Sequence, residues 1–262
     1  MSASRDFQIV SRHPGIDVVH GHSARSFPAH MHDQYGIGLL QSGGQRSRSR
    51  RGMVEALPGN LINVVPGEVH DGHALGGEAR RWTMLYLDPE LVADLAADLT
   101  EGARREADLK GPVVSDQRVK TLFARAAMAA SGEGGLDEAL LPLLAFLSGG
   151  AKGGPPPLER LVQVRERIDD MPADAHPLEE LADDAGVSKF QLLRGFAAMT
   201  GLTPHAYVLQ RRLHLARRLL AAGQPPSTAA ATAGFADQSH LTRIFVRTFG
   251  IAPGAYARRL LR

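Results

Sequence analysis

Between residues 6 and 87, apolar and polar positions alternate in short runs at 7–10, 16–19, 37–40, 61–65 and 82–87. The runs are separated by Pro14-Gly15, Ser42-Gly43-Gly44, Pro58-Gly59, Pro66-Gly67 and Gly76-Gly77. Alternation sends successive side chains to opposite faces of a strand, and the Gly and Pro pairs are turn signals. Short strands at this spacing, with no long helix between them, predict an antiparallel sandwich or barrel. After Asp88-Pro89 the period lengthens to that of helices at 89–100, 116–130 and 137–148, with Val119, Leu122, Phe123, Ala126 and Ala127 on one side of the second. Leu140, Leu141, Leu143, Leu144 and Leu147 provide more apolar surface than one helix face requires, which suggests part core and part interface. Residues 149–157, GGAKGGPPP, read as a linker of flexible glycines and stiff prolines. Leu161, Val164, Ile168 and Met171 then line one face of a helix over 158–171.

The last third contains one element twice. At an offset of 49 residues, Leu192 and Leu241, Arg194 and Arg243, Phe196 and Phe245, Gly201 and Gly250, Pro204 and Pro253, and Tyr207 and Tyr256 coincide. Each copy reads as a short helix, a Gly-bearing turn and a second helix: 178–185 then 188–200, and 227–233 then 237–249. Ser188 and Asp237 are suited to cap the second helices, and Gln191 completes a capping box with Ser188. Two helices joined so tightly form a helix-turn-helix, whose second helix enters the major groove of double-stranded DNA. Helical geometry puts Leu192, Phe196 and Met199 on the core side of one copy and Leu241 and Phe245 on that of the other. The opposite sides carry Phe190, Gln191, Arg194 and Ala198, and Ser239, His240, Arg243 and Arg247, with Lys189 at the head of the first helix. Arg pairs with guanine and Gln with adenine through two hydrogen bonds each, and Phe190 can pack on a thymine methyl.

Charge separates the two ends. From Ser188 to Arg262 there are 11 Lys and Arg against the single acid Asp237, whereas the preceding residues carry 19 bases against 27 acids. A basic end on an acidic body suits a polyanion, with phosphate neutralisation supplying salt-dependent affinity. The chain has no Cys, so disulfides, thiolate metal sites and Cys nucleophiles are excluded. No signal-peptide pattern and no membrane-length apolar stretch is present, and a cytoplasmic protein is expected.

Residues from about 158 to 262 resemble the DNA-binding domain of the AraC family of transcription regulators. The resemblance rests on Ala233-Gly234-Phe235, Asp237-Gln238-Ser239-His240-Leu241, Arg243-Ile244-Phe245, Gly250, Pro253 and Tyr256. It implies two helix-turn-helix units joined by a long helix, here 204–222, with Arg211, Arg212, Arg217 and Arg218 along it. It also implies base-reading positions at Phe190, Gln191, Leu193 and Arg194, and at Gln238, Ser239, Thr242 and Arg243; Leu193 and Gly195 depart from the polar and bulky residues common there. The family's methyl-accepting DNA-repair activators need Cys and are excluded. Residues 27–35, FPAHMHDQY, together with Pro58-Gly59-Asn60 and residues 65–72, VPGEVHDG, are similar to the family's cupin-like effector-binding domain. The expected fold is therefore two-domain: an N-terminal antiparallel β cupin-like barrel over 1–88, helices over 89–148, a linker over 149–157 and an all-α double helix-turn-helix domain over 158–262. The resemblance implies a small-molecule effector in the barrel and a homodimer through the helices, and RNA polymerase is a further candidate partner.

His30, His32 and His70 are the centre of the effector candidates, joined by Tyr35, Glu68 and Trp82 as polar anchors or a stacking face. A strand places His30 and His32 on one face, so with His70 they offer three nitrogens. Three readings stay open: imidazoles that hydrogen-bond a small ligand without metal, structural histidines at strand ends, and a divalent-metal site. Metal-binding cupins follow the HxH pair with a Glu, and Gly36 and Ile37 stand in its place. No cofactor is therefore expected. Arg46, Arg48 and Arg50 alternate along one face of a hairpin, either solvated or holding an anionic effector. A ligand-responsive, non-enzymatic regulator is the leading reading. Its rivals are a metal-dependent cupin enzyme with a DNA-binding tail and a constitutive DNA-binding protein.

Overall fold

The computed structural model describes residues 6–49, 52–132, 134–150 and 156–260. Arg50 and residues 151–155 of the expected linker lie outside the described residues. The chain divides into two compact units, Met1–Gly153 and Gly154–Arg262.

The first unit contains strands β1 (Phe7–His13), β2 (Ile16–Ser23), β3 (Phe27–His30), β4 (Tyr35–Ser42), β5 (Gln45–Ser49), β6 (Gly52–Ala56), β7 (Leu61–Val64), β8 (His70–Ala74) and β9 (Arg80–Leu87). Helix α1 (Pro89–Leu99), a short strand β10 (Val113–Val114), and helices α2 (Gln117–Ala130) and α3 (Leu136–Leu147) follow. The strands form an antiparallel six-stranded sheet, β1-β2-β9-β4-β7-β10, and a four-stranded sheet, β3-β8-β5-β6. The expected barrel is thus two open sheets among the described residues. The helical stretch is not separate from them either, because β10 pairs with β7.

Strand β9 is flanked on both sides, by β2 and β4, and its alternation organises the unit. Leu85 and Leu87 are fully buried on one face, and Trp82, Met84 and Tyr86 lie on the other. Those three side chains lie flat because their neighbours are glycines. A Cβ at Gly21 would fall 2.4 Å from the Trp82 ring, one at Gly38 1.9 Å from Met84 Sδ, and one at Gly36 3.1 Å from Met84 Cε.

Helix α2 packs against β1 and β2, and α3 against α1 and α2. Leu140, Leu141, Leu143, Leu144 and Leu147 are at most 1% exposed within this single chain. The leucine surplus that suggested a subunit interface is therefore absorbed by the unit's own core.

The second unit comprises α4 (Leu158–Asp170), α5 (Leu178–Ala185), α6 (Lys189–Thr200), α7 (Pro204–Ala221), α8 (Pro226–Thr232), α9 (Gln238–Phe249) and α10 (Pro253–Leu260). The duplication is visible in its geometry. Helices α6 and α9 both stop at a glycine in the left-handed conformation, Gly201 (φ 78°) and Gly250 (φ 70°). The buried rings of Phe196 and Phe245 each meet a tyrosine from the next helix, Tyr207 and Tyr256, at 5.5 Å between centroids. Helix α7 joins the two cores, giving Val208 to the cluster of Leu161, Ile168, Leu181, Leu192 and Phe196, and Leu213, Ala216 and Leu220 to that of Ala229, Leu241 and Phe245.

The loop after α4 ties the halves together. Arg212 donates to the carbonyls of Pro172 (2.9 Å) and Asp174 (2.7 Å), while Tyr207 Oη donates to Asp169 at 2.8 Å and Arg211 pairs with the same carboxylate. The turn of the second helix-turn-helix rests on the same loop: Gly234 has φ 81°, and a Cβ there would lie 2.3 Å from the Ala173 carbonyl oxygen. Gly234→Ala combines a left-handed non-glycine residue with a backbone clash, and is expected to destabilise this unit by at least about 2 kcal/mol. Hydrogen exchange of the α7–α10 amides in the full-length protein measures it, and unchanged protection would contradict the packing.

Candidate functional site

The flat side chains of β9 leave a cavity of about 410 Å³ between the two sheets, within the size range of small-molecule sites. Its apolar walls include Ile9, Val19, Phe27, Ile62, Val64, Trp82 and Met84, and its polar groups include Gln34, Gln45, His30, His32, His70 and Tyr86. Phe7, Phe27 and Trp82 form an edge-to-face cluster with centroids 5.8–6.1 Å apart.

The three histidines converge. His30 pairs with His70 across β3 and β8, and the ring centroids of His30, His32 and His70 are 4.5–5.2 Å apart. His30 Nδ1 is 2.7 Å from the Pro28 carbonyl and His70 Nδ1 is 3.0 Å from that of Glu68. A carbonyl only accepts, so both Nδ1 atoms carry protons and both Nε2 lone pairs remain for a ligand. Burial, followed by the neighbouring His70 and His30, pulls the His32 imidazole below its ordinary pKa, and burial raises that of Tyr86, whose ring lies 5.1 Å away.

Among the described residues, these imidazoles are the group that could hold a divalent cation, with ligand atoms all within 4.8 Å of one another. A tetrahedral zinc with bonds near 2.0–2.1 Å needs nitrogens about 3.3 Å apart, so the rings would have to close inward. The Nε2 atoms of His30 and His70, opposite the carbonyl-bound Nδ1 atoms, serve equally well as hydrogen-bond acceptors for a ligand hydroxyl or amide.

The DNA-facing candidates divide between the two helix-turn-helix units. In the first, Arg194 is exposed, with its guanidinium 5.8 Å from the centre of the Phe190 ring one helical turn earlier, and Lys189 is half-buried. Gln191 Oε1 accepts from the Ser188 amide at 2.9 Å and its own amide donates to Ser188 Oγ at 3.2 Å, which closes the capping box. Bidentate pairing with adenine would use that same oxygen, which is already engaged in the cap. Leu193 is 4% exposed, so the expectation that it reads a base is corrected: its side chain is part of the core.

In the second unit Gln238, Ser239, Arg243 and Arg247 are exposed, and Asp237 caps α9 through the His240 amide at 2.7 Å. His240 stacks edge-on against Phe235 at 5.4 Å, and burial and Arg243 push its imidazole pKa down. Thr242 donates its hydroxyl to the Gln238 carbonyl at 2.8 Å, leaving its methyl and an acceptor lone pair. Along α7, Arg211 and Arg212 are committed to Asp169 and to the loop after α4, and Arg217 and Arg218 are exposed. The basic surface open to a polyanion is therefore smaller than the charge count implies.

A family model described as an AraC-like ligand binding domain matches residues 13–145, and a helix-turn-helix domain model matches residues 181–259. The chain belongs to the AraC family. It is 26% identical over 229 residues to the HTH-type transcriptional regulator YbfI of Bacillus subtilis, spanning 83% of this chain and 82% of that protein. The probable transcriptional regulator LumQ of Photobacterium leiognathi is 40% identical over 78 residues, 29% of this chain and 32% of LumQ. Among solved structures, the DNA-binding domain of the transcriptional factor AdpA in complex with a target DNA is 26% identical, with a TM-score of 0.37, over 40% of this chain and 93% of that one.

This AraC-family chain thus joins a ligand-binding domain to a helix-turn-helix DNA-binding domain. No helix among the described residues is long and apolar enough to cross a membrane. Of the effector candidates, His30, His32, His70 and Trp82 meet in the cavity. Tyr35 does not: it faces a separate open groove with Val65, Pro66, Pro89 and Arg104. Glu68 does not line the cavity either, but borders an adjoining void of about 30 Å³ that shares Gln45, Ile62, Val64 and His70 with it. The alternating arginines are also placed elsewhere, with Arg46 paired to Glu55 at 2.8 Å and the Arg48 amide donating to Asp71.

Sequence reasoning missed Phe7, Phe27, Tyr86 and Arg80. The signal for Tyr86 and Arg80 was the two-residue spacing Arg80, Trp82, Met84, Tyr86 on a strand read as beginning at Trp82.

Trp82 is the single tryptophan of the chain and forms part of the cavity wall, so its emission reports on that wall. Gly21→Ala should displace the indole and shift the emission maximum while far-ultraviolet circular dichroism stays that of the parent. Identical emission spectra would contradict the face-on packing of ring and glycine.

Proposed function

We propose that this chain is a non-catalytic transcription regulator in which a small molecule held between the two sheets changes the affinity of α6 and α9 for operator DNA. The observation that carries this reading is the tandem helix-turn-helix with an exposed arginine, Arg194 and Arg243, at the same place in both copies. Helix α7, 18 residues long, spans about 27 Å. That length is comparable to one DNA turn of about 34 Å and suits two recognition helices in successive major grooves. The second unit supplies most of the discrimination in this reading, through Gln238, Ser239, Thr242 and Arg243, with Arg247 on phosphate. In the first, Arg194 and Phe190 make the base contacts, Lys189 binds phosphate and Gln191 acts as a cap.

Homodimerisation and contact with RNA polymerase rest on the family resemblance. Sedimentation of the purified protein with and without operator tests the first.

Arg243→Ala is expected to weaken operator binding by about 1–3 kcal/mol and to relax preference at one base pair. Arg247→Ala should weaken all sequences alike and lower the salt slope by about one unit. Binding selections on randomised DNA read both. Undiminished affinity and unchanged base preference in Arg243→Ala would overturn the assignment of α9 as a recognition helix.

A further inference from the structure

Directly behind the cavity wall lies a charge that the first unit does not balance. Arg80 is fully buried, yet no carboxylate pairs with it among the described residues. Its Nε donates to Gln45 Oε1 at 3.0 Å and its Nη2 reaches the Gly72 carbonyl at 3.4 Å, but Nη1 has no hydrogen-bond partner. Its carbon Cζ sits 5.1 Å from the ring centre of Trp82 and 5.3 Å from that of Phe27. Alternation along β9 puts Arg80 on the same face as Trp82, Met84 and Tyr86, all three of which line the cavity. Gln45, Gly72, Phe27 and Trp82, the groups it touches, line it too.

A buried cation without a counter-ion is unfavourable, and an orphaned donor beside it adds to the cost. The aromatic faces offset part of this through cation–π attraction. They provide no acceptor for Nη1. Two acids reach the cavity wall, and both are engaged elsewhere: Asp17 accepts from Ser11, and Asp71 accepts from the Arg48 amide and lies 3.5 Å from His73.

We propose that the effector is a small organic carboxylate with a flat apolar or aromatic body, its carboxylate displacing the Gln45 side chain that separates Arg80 from the cavity and its body lying against Phe27, Trp82 and Met84. This rests on the reading of the cavity as the effector site. The register of β3 and β8 sets the length of the ligand. Gly72, beside Arg80, pairs with Phe27, and His70 pairs with His30 two residues further on, about 7 Å away at the rise of an extended strand. A carboxylate at Arg80 therefore leaves the imidazole Nε2 acceptors for a hydroxyl or amine at the far end of the same molecule. A neutral ligand would leave the cation uncompensated, and binding should discriminate by charge more than by shape.

The test compares 4-fluorobenzoate with 4-fluorobenzamide, which share a shape and differ in charge. Binding to the full-length protein is followed by fluorine NMR and by Trp82 emission at up to about 10 mM, the range expected for so small a fragment. The expected result is that the benzoate binds at least ten times more tightly than the amide, and that Arg80→Met removes this preference while Arg80→Lys keeps part of it. Methionine replaces a buried charge by an apolar chain, a change that folded proteins often tolerate. Should that variant fail to fold, the benzoate–amide comparison on the parent protein still decides. Equal binding of the two probes overturns the charge assignment and leaves an effector cavity of another preference. Benzoate binding that survives unchanged in Arg80→Met overturns the role of Arg80. Binding of neither probe overturns the carboxylate assignment, and whether any molecule controls the protein is then read separately, from operator affinity in the presence of neutral metabolites.

Discussion

The first unit depends on a packing relation across three strands. Two sheets that face each other normally fill the space between them with interdigitating side chains. Here one row of large side chains, Trp82, Met84 and Tyr86, is laid flat over Gly21, Gly38 and Gly36 of the neighbouring strands. A side chain at Gly21 or Gly38 would force Trp82 or Met84 to shift from its place against the sheet. Everything assigned to that cavity follows from this relation: the aromatic wall, the access of the ring of His30, His32 and His70, and the exposure of one face of Arg80's surroundings to a ligand.

The second unit shows how one scaffold carries two different surfaces. Its copies share the glycine stop, the proline start and the Phe–Tyr pair, because those residues set the angle between each recognition helix and the next helix. They differ where nothing structural holds them equal. In the first copy Gln191 is drawn into the cap and Leu193 into the core, whereas in the second Asp237 caps alone and Gln238, Ser239 and Arg243 stay open. Of the arginines on α7, Arg211 is spent on Asp169 of α4 and Arg212 on the loop that follows it. Arg212 donates to the carbonyls of Pro172, Ala173 and Asp174, and Gly234 packs against the Ala173 carbonyl so held.

Helix boundaries were legible from the sequence because capping and glycine stops are local: Ser188, Asp237, Gly201 and Gly250 mark the ends of α6 and α9 with their own side chains or backbone freedom. The meeting of His30, His32 and His70 was legible from HxH spacing and turn signals. Non-local relations were not. Tyr35 and Tyr86 are both strand tyrosines, and only the register of β4 against β9, with Tyr35 opposite Leu87 and Gly36 opposite Tyr86, decides which one sees the cavity. Whether the leucines of α3 face a partner subunit or the chain's own core depends on α1 and α2 being beside it. An arginine in a sequence carries no sign that it is to be buried, and Arg80 looked like Arg81 until the strand was seen to begin two residues earlier.

How much control a ligand can exert is limited by what the cavity can recognise. Moving a two-state equilibrium from 1:99 to 99:1 takes a difference in binding free energy of about 5.5 kcal/mol between the states. A fragment bound with a Kd of about 10 mM supplies roughly 2.7 kcal/mol in total, even if it binds one state alone. A full switch therefore needs a ligand that fills more of the 410 Å³ and engages both of its polar ends. The backbone positions at Gly72, beside the buried guanidinium, and at His70 are two residues apart along β8. Bridging the guanidinium and the imidazole is the way for a small molecule to concentrate binding energy there, because each end leaves a hydrogen-bonding group unsatisfied when the other alone is met.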